Sequence, residues 1–368
     1  MIFLSWQEMF LHQSPISFAQ LAARRYNRVM KIPAKSGAAE QYGQPAMPVA
    51  GKATGTAPPS APLDYIPRIR SYYLALGYPE PYRWAEQSEI PLKQLDKPLA
   101  EATIGLITTA APFRAGLGDQ GPGAAYNGKA KFFEVYTDTT RQADGSLARP
   151  DLRVSHIAID RDHSRADDQN SYFPLQALET LRQQGIIGAI ARRFYGLPTH
   201  RSHRITCDEY APRLVRLLQE DGCDAAVLVP NCPVCHQSCA LVASALEAAG
   251  IATVIMGCAR DIIARVGAPR MLFCDLPLGN SAGIPHDTQG QLLAARLAVG
   301  MLQTATSSRQ IETAPLVWPE AADWKQDYAN ADRLSADELA RQRADFDAAK
   351  ADSRPLSAAA GNAGNTTA

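Results

Sequence analysis

Three of the seven cysteines lie within eight positions, in Val229-Pro230-Asn231-Cys232-Pro233-Val234-Cys235-His236-Gln237-Ser238-Cys239, a C-x2-C-x3-C run. A C-x2-C pair at the start of a helix places two thiols within disulfide reach of each other. A thiol reacts as its thiolate, and the free N–H groups and positive dipole end of a helix N-terminus stabilise that anion. Pro233 suits the first helical position, where no amide hydrogen is needed, which puts Cys232 at the cap. The spacing therefore points to Cys232 as nucleophile and Cys235 as the thiol that resolves it. Cys239 follows one further turn along the same stripe, at i, i+3, i+7 spacing. Two other readings stay open. A zinc or iron–sulfur site would recruit Cys232, Cys235, Cys239 or His236 plus a fourth ligand, although no second C-x2-C pair completes a four-cysteine set. Inert burial of all three is the other, since free cysteine is often a small core residue.

Further candidates are scattered. Cys258, in Met256-Gly257-Cys258-Ala259-Arg260-Asp261, ends a strand and starts a helix. A cysteine-based racemase or lyase needs two opposed thiols, and Cys232 with Cys258 would supply them if they face one another. Cys223 and Cys274 adjoin apolar runs and read as core. The segment 155–170 is the densest His/Asp cluster of the chain. His156, His163 and Asp168 there are either metal ligands or acid/base groups, or belong to a solvated loop closed by a helix cap at Asp168 or Asn170. Arg114 follows an apolar strand and either grips a substrate carboxylate bidentately or is a surface charge. The loop 276–287 carries glycines that permit close backbone approach to a ligand. Asn280 is its candidate substrate group, and His286 either starts a helix or is catalytic.

The elements that must position these groups alternate. Helix Tyr65 to Leu76, strand Ala102 to Thr109, strand Arg153 to Ile159 and helix Leu175 to Gln184 come first. After a short apolar segment, Ile186 to Ala191, follow helix Asp208 to Glu220, strand Asp224 to Val229, helix 234–249, strand Ala252 to Met256, helix Arg260 to Val266, strand Arg270 to Cys274 and helix 287–303. Such alternation predicts an α/β three-layer sandwich with a mostly parallel sheet, Rossmann-like and doubly wound. In that architecture the loops after Thr109, Ile159, Val229, Met256 and Leu276 share one edge and converge on one crevice.

Residues 1–63, rich in Ala, Gly, Pro, Ser and Thr between 34 and 62, read as a disordered extension or linker; 64–310 as the α/β domain; 311–354 as a C-terminal helical extension with a surface helix Ser335 to Lys350; 355–368 as a disordered tail. At 368 residues, 46% hydrophobic and 20% charged, the chain can bury a large core. A formal net charge of zero without a basic stripe disfavours nucleic acid and anionic membranes as partners, and no apolar run reaches transmembrane length. An odd number of cysteines without a secretory signal points to a cytoplasmic protein. A homo-oligomer is compatible with all of this.

With these residues in view, the chain resembles the selenoprotein B component of glycine, sarcosine and betaine reductases and its proteobacterial cysteine-containing relatives. The resemblance covers about 64–306. It rests on Asp64-Tyr65-Ile66-Pro67-Arg68, Tyr72-Tyr73-Leu74-Ala75-Leu76-Gly77-Tyr78-Pro79, Leu106-Ile107-Thr108-Thr109-Ala110-Ala111-Pro112-Phe113, and Asp167-Asp168 with Ser171-Tyr172. It is strongest at Leu228-Val229-Pro230-Asn231-Cys232-Pro233-Val234-Cys235-His236-Gln237 and Asp275-Leu276-Pro277-Leu278-Gly279-Asn280. The resemblance implies reductive cleavage of a C–N bond in an amino-acid-like substrate. It also implies a thioredoxin-like electron donor and a pyruvoyl-containing subunit that presents substrate. Cysteine, most naturally Cys232, then stands where a selenocysteine is expected. No cofactor is required by this reading, while the metal reading requires Zn or an Fe–S cluster.

Overall fold

The apolar run Ala225–Val229 is fully buried along its whole length, as a strand covered on both faces must be. It lies at the middle of a mostly parallel sheet in the computed structural model, which describes residues 61–363 apart from 81, 155, 157 and 320–322. The expectations for residues 1–60 and for 364–368 fall outside the described residues.

The strands are β1 (Thr103–Thr108), β2 (Ala111–Pro112), β3 (Tyr136–Thr139), β4 (Leu152–Arg153), β5 (Ala189–Ile190), β6 (Arg193–Gly196), β7 (Ala225–Val229), β8 (Ala252–Gly257), β9 (Arg270–Phe273) and β10 (Gln310–Thr313). The helices are α1 (Tyr65–Ala75), α2 (Leu175–Gln183), α3 (Ala211–Glu220), α4 (Pro233–Ala248), α5 (Arg260–Val266), α6 (Thr288–Thr304), α7 (Trp324–Asp327) and α8 (Ala336–Ala363). The sheet runs β10-β9-β8-β7-β1-β6-β3, with β5 also pairing β1, and every pairing is parallel except β3 with β6. Both α4 and α6 pack on β8. Helices α3 and α5 lie beside α4, and α2 lies beside α6, so helices flank the sheet on both sides. The expected α/β sandwich is therefore present.

From β6 through β1 to β7 and onward, the strand order follows the doubly wound 2-1-3-4-5 pattern, whose switch point falls between β1 and β7. There the chain leaves the sheet in opposite directions and opens a crevice. Thr109, just past β1, ties the two strand ends together: its N–H donates to the Val229 carbonyl, and its Oγ1 accepts the Asn231 N–H at 3.0 Å. Cys232 follows directly.

Among the described residues of the strand expected over Arg153 to Ile159, only Arg153 lies in a strand. With Leu152 it pairs antiparallel with β2 in a separate ribbon. Beyond it Val154 and Ile159 are core residues. The place beside β1 belongs to β6, which is hidden in the sequence by its cationic start: Arg193 pairs with Glu220 and Asp221 across the sheet end. Past residue 310 the chain continues the sheet as β10, so the α/β unit exceeds its expected boundary. Helix α8 likewise runs on past Lys350 to Ala363. The helix expected from Asp208 begins with a π-helical segment, Thr206–Tyr210, ahead of α3.

Candidate active site

Helix α4 begins at Pro233, and Cys232 is its N-cap, with extended backbone and a sulfur that accepts the Cys235 N–H at 3.3 Å. The local reason is in the sequence. Proline needs no hydrogen-bond partner at the first helical position, and a sulfur at the cap occupies the place of the usual cap oxygen. Cys232 Sγ lies 2.7 Å from Cys235 Sγ, and both residues are free cysteines. Cys232 retains 4% exposure, whereas Cys235 is wholly buried.

From Cys235 a line of polar groups leads away from the pair. Its sulfur lies 3.0 Å from Thr199 Oγ1, which lies 3.1 Å from His156 Nε2. Thr199 sits just beyond β6, so the third crevice loop is the one after a strand the sequence concealed. His156 Nδ1 has no partner among the described residues. Burial alone would raise the Cys235 thiol. The hydrogen bond from Cys232, the charge and hydrogen bond of His156 and the Thr199 contact outweigh it and hold Cys235 well below the ordinary thiol range. Burial, the bond to Cys235 and its charge push Cys232 the other way. The pair titrates as a unit, and the His156 and Thr199 contacts favour the charge on Cys235.

His236 holds the cap in place. Its Nε2 accepts the backbone N–H groups of Cys258 and Ala259 at 2.9 and 3.0 Å, so that nitrogen is unprotonated. The proton is then on Nδ1, which donates to the Cys232 carbonyl at 2.8 Å. Both ring nitrogens are occupied by the scaffold.

Around the thiols stands a wall that the sequence reading signalled only in part. Burial raises the phenols of Tyr73 and Tyr328, Arg201 opposes it at Tyr73, and the charge of Cys232 adds to both. These two tyrosines and Arg161 line a cavity of about 340 Å³ that also reaches Tyr72, Asp160 and Asp162. Burial lowers the Lys131 ammonium, and the charges of both thiols counteract it. Lys131 Nζ lies 4.8 Å from the Phe133 ring centroid. Among the described residues no carboxylate pairs with Lys131 or Arg201. Tyr82 accepts the Gln237 amide of α4 at 2.7 Å and donates to the Arg201 carbonyl at 3.3 Å. Tyr72 and Tyr73 carried a sequence signal within the resemblance, and Asp160, Arg161 and Asp162 within the 155–170 cluster; Lys131, Thr199 and Arg201 are isolated residues whose meaning depends on the fold.

The remaining sequence candidates are distributed as follows. Asp168 caps a turn of 3-10 helix and accepts from Asn170, His286 N–H and Gln291, binding loop 276–287 to α6. Asn280 is wholly buried, bonded to Ser164 and to the Pro277 carbonyl. Arg114 is exposed, on a loop closed by Gln120. Cys239 is buried, and burial raises its thiol far above the usual range. Cys258 Sγ faces Ser281 Oγ at 3.7 Å, with burial lifting its pKa to about 12. His163 bridges Asp160 and Asp327.

The donor atoms of His156, Cys232 and Cys235 fall within 4.8 Å of one another, which invites the metal reading. Two thiolates each about 2.3 Å from one tetrahedral zinc lie about 3.7 Å apart. A separation of 2.7 Å is too short for that, while a disulfide needs only a small further approach.

No protein-family model matches the chain, and no solved structure matches it. Among curated proteins it is 28% identical over 196 residues to D-proline reductase subunit gamma of Acetoanaerobium sticklandii, covering 53% of this chain and 76% of that one. It is 26% identical over 129 residues to glycine reductase complex component B subunit gamma of Peptoclostridium acidaminophilum, covering 34% of this chain and 29% of that one. The protein of that name from Peptoclostridium litorale is 25% identical over 124 residues, 33% of this chain and 28% of the relative. The glycine reductase components are thus spanned over less than a third of their length. Over these stretches the chain is similar to gamma subunits of amino-acid reductase complexes.

Proposed function

We propose that this chain is the thiol-bearing component of a reductase acting on an amino-acid-like substrate, with Cys232 attacking as it passes its proton to the neighbouring Cys235 sulfur, and Cys235 as its partner in a dithiol/disulfide couple. The observation that carries the reading is the pair of free sulfurs 2.7 Å apart at the cap of α4, at the switch point of a doubly wound sheet. The reaction balances on the pair alone. Cleaving a C–N bond to C–H and N–H takes two electrons and two protons, and oxidation of Cys232 and Cys235 from two thiols to one disulfide supplies both. An external dithiol, such as a thioredoxin-like protein, returns the couple to its reduced state. The names of the relatives motivate partner subunits, and the resemblance in the sequence adds the expectation of one that presents substrate through a pyruvoyl group. Those names also motivate the choice of an amino-acid substrate.

The test is alkylation of the reduced native protein as a function of pH, with each cysteine mapped by mass spectrometry, beside oxidation by a dithiol buffer of set potential. The proposal expects modification confined to the pair well below pH 8.5 and a reversible loss of two hydrogens from the peptide holding Cys232 and Cys235. Thiols protected until a chelator is added, or a pair that never oxidises, would overturn it.

A further inference from the structure

The two sulfurs of the pair are not equivalent, and the difference lies outside the C-x2-C motif. Of the two sulfurs only Cys235 hydrogen-bonds Thr199, which bonds His156 in turn, and His156 also acts on Cys235 directly. All three groups are buried. A hydroxyl can accept from one neighbour while donating to the next, so Thr199 Oγ1 can take the Nε2–H of His156 and give its own hydrogen to a Cys235 thiolate. The reverse polarity serves the thiol: Cys235 S–H to Thr199, Thr199 O–H to His156. Bonds 3.1 and 3.0 Å long suit either direction.

Resting on the dithiol reading above, we propose that Thr199 is a positioning residue that couples His156 to Cys235 and so makes Cys235 the leaving sulfur when the couple is reduced. A donor dithiol attacks as its thiolate on Sγ of Cys232, the residue of the pair with residual exposure. The bond between donor sulfur and Cys232 forms, the Cys232–Cys235 bond breaks, and its electron pair stays on Cys235. Thr199 passes a proton to that new thiolate as it takes the Nε2 proton of His156, and His156 is reprotonated from solvent. The donor's second thiolate then attacks its own first sulfur and expels Cys232, which takes a proton from solvent. The donor ends as a disulfide and the protein as a dithiol, with two electrons transferred. A thiol of lower pKa leaves faster, so a sulfur stabilised as an anion directs attack to the other.

Other titratable groups feel the pair and must be held constant. Cys239 and His236 lie on α4 itself, and Lys131 approaches from the segment ahead of β3. Among the described residues none of them hydrogen-bonds to Thr199.

The experiment uses the full chain with dithiothreitol as the donor. Thiolate absorbance is titrated in the reduced protein, and reduction of the oxidised protein is followed, for the unmodified chain, Thr199→Val and Thr199→Ser. Valine keeps the volume and removes the hydroxyl. A hydrogen bond to a charged group is worth enough to move the first thiol titration up by about one to two pH units. The reduction rate at neutral pH should fall about tenfold with it, and Thr199→Ser should restore both. His156→Gln should shift the titration in the same direction. If Thr199→Val forms the disulfide and titrates like the unmodified chain, the coupling is wrong and the dithiol reading survives. If the unmodified chain forms no Cys232–Cys235 disulfide, both fall together.

Discussion

His236 Nδ1 donates to the carbonyl of Cys232, 2.8 Å away, and so the residue that caps α4 is held by a side chain one turn further along the same helix. Because Nε2 accepts two backbone N–H groups from the start of α5, the ring can gain a proton only by giving them up. Burial enforces the same outcome and lowers the His236 pKa from 6.5 to about 4. A folded-state value below the unfolded one means a contribution to stability that is complete above about pH 6.5 and disappears as pH falls from there toward 4. It amounts to about 3 kcal/mol. His236→Gln should be less stable at pH 7.5 and should lose that part of the pH dependence. Urea midpoints of both proteins at pH 7.5 and 5 decide it; parallel slopes would show that the ring is not the strut.

Gly257 makes room for that ring. A Cβ at this position would stand 2.7 Å from His236 Nε2 and 3.3 Å from Pro230 Cγ, two residues that flank Cys232 in the chain. Overpacking of this kind costs about 1–3 kcal/mol. Gly257→Ala should therefore lower the urea midpoint and also change the alkylation rate of Cys232, which it does not touch. A midpoint shift with an unchanged rate would separate the fold from the thiol.

The expected loop convergence was legible at Cys232 because β7 is a plain apolar run and Pro233 marks a helix start. The strand was misread at Arg153 to Ile159, although His156 from that segment and Asp160 just past it still reach the site. Val154 and Ile159 gave that segment an apolar signature, yet their burial serves the core beside a cavity and not a sheet. The strand that does adjoin β1 was concealed by Arg192-Arg193, whose charges are neutralised by Asp221 and Glu220, far away in the sequence. With β6 went Thr199. Periodicity reports how a residue is buried and cannot report which distant residue satisfies its charge.

Asp168 illustrates the same limit at a candidate substrate group. One oxygen accepts from the Asn170 backbone and side chain, both at 3.0 Å, and the other from His286 N–H and Gln291 Nε2, both at 2.7 Å. Burial raises this carboxyl, but the bonds from His286, Gln291 and Asn170 prevail and lower its pKa. Its stabilisation is present above the unfolded carboxyl value near 4 and is lost as pH falls through the lower folded value. Asp168→Ala should cost about 2 kcal/mol, read as a lowered melting temperature, without changing the thiol titration of the pair. An unchanged melting temperature would return Asp168 to the substrate.

Lys131 is the residue through which charge at the site can be read separately from thiol reactivity. Its ammonium is half-buried, rests over Phe133, and among the described residues faces no carboxylate, while the charges of Cys232 and Cys235 act on it. Iodoacetate and iodoacetamide attack the same thiolate and differ in the reagent's own charge. Any change in thiol pKa therefore cancels in the ratio of their rates, and what is left is the field the reagent meets. A cation within several ångströms at intermediate dielectric is worth about 1 kcal/mol to an anion, which is about fivefold in rate. Lys131→Met should lower the iodoacetate-to-iodoacetamide ratio by about that factor, more at low salt than at high. A ratio that ignores both the substitution and the salt would mean that reagents reach Cys232 by a path Lys131 does not face.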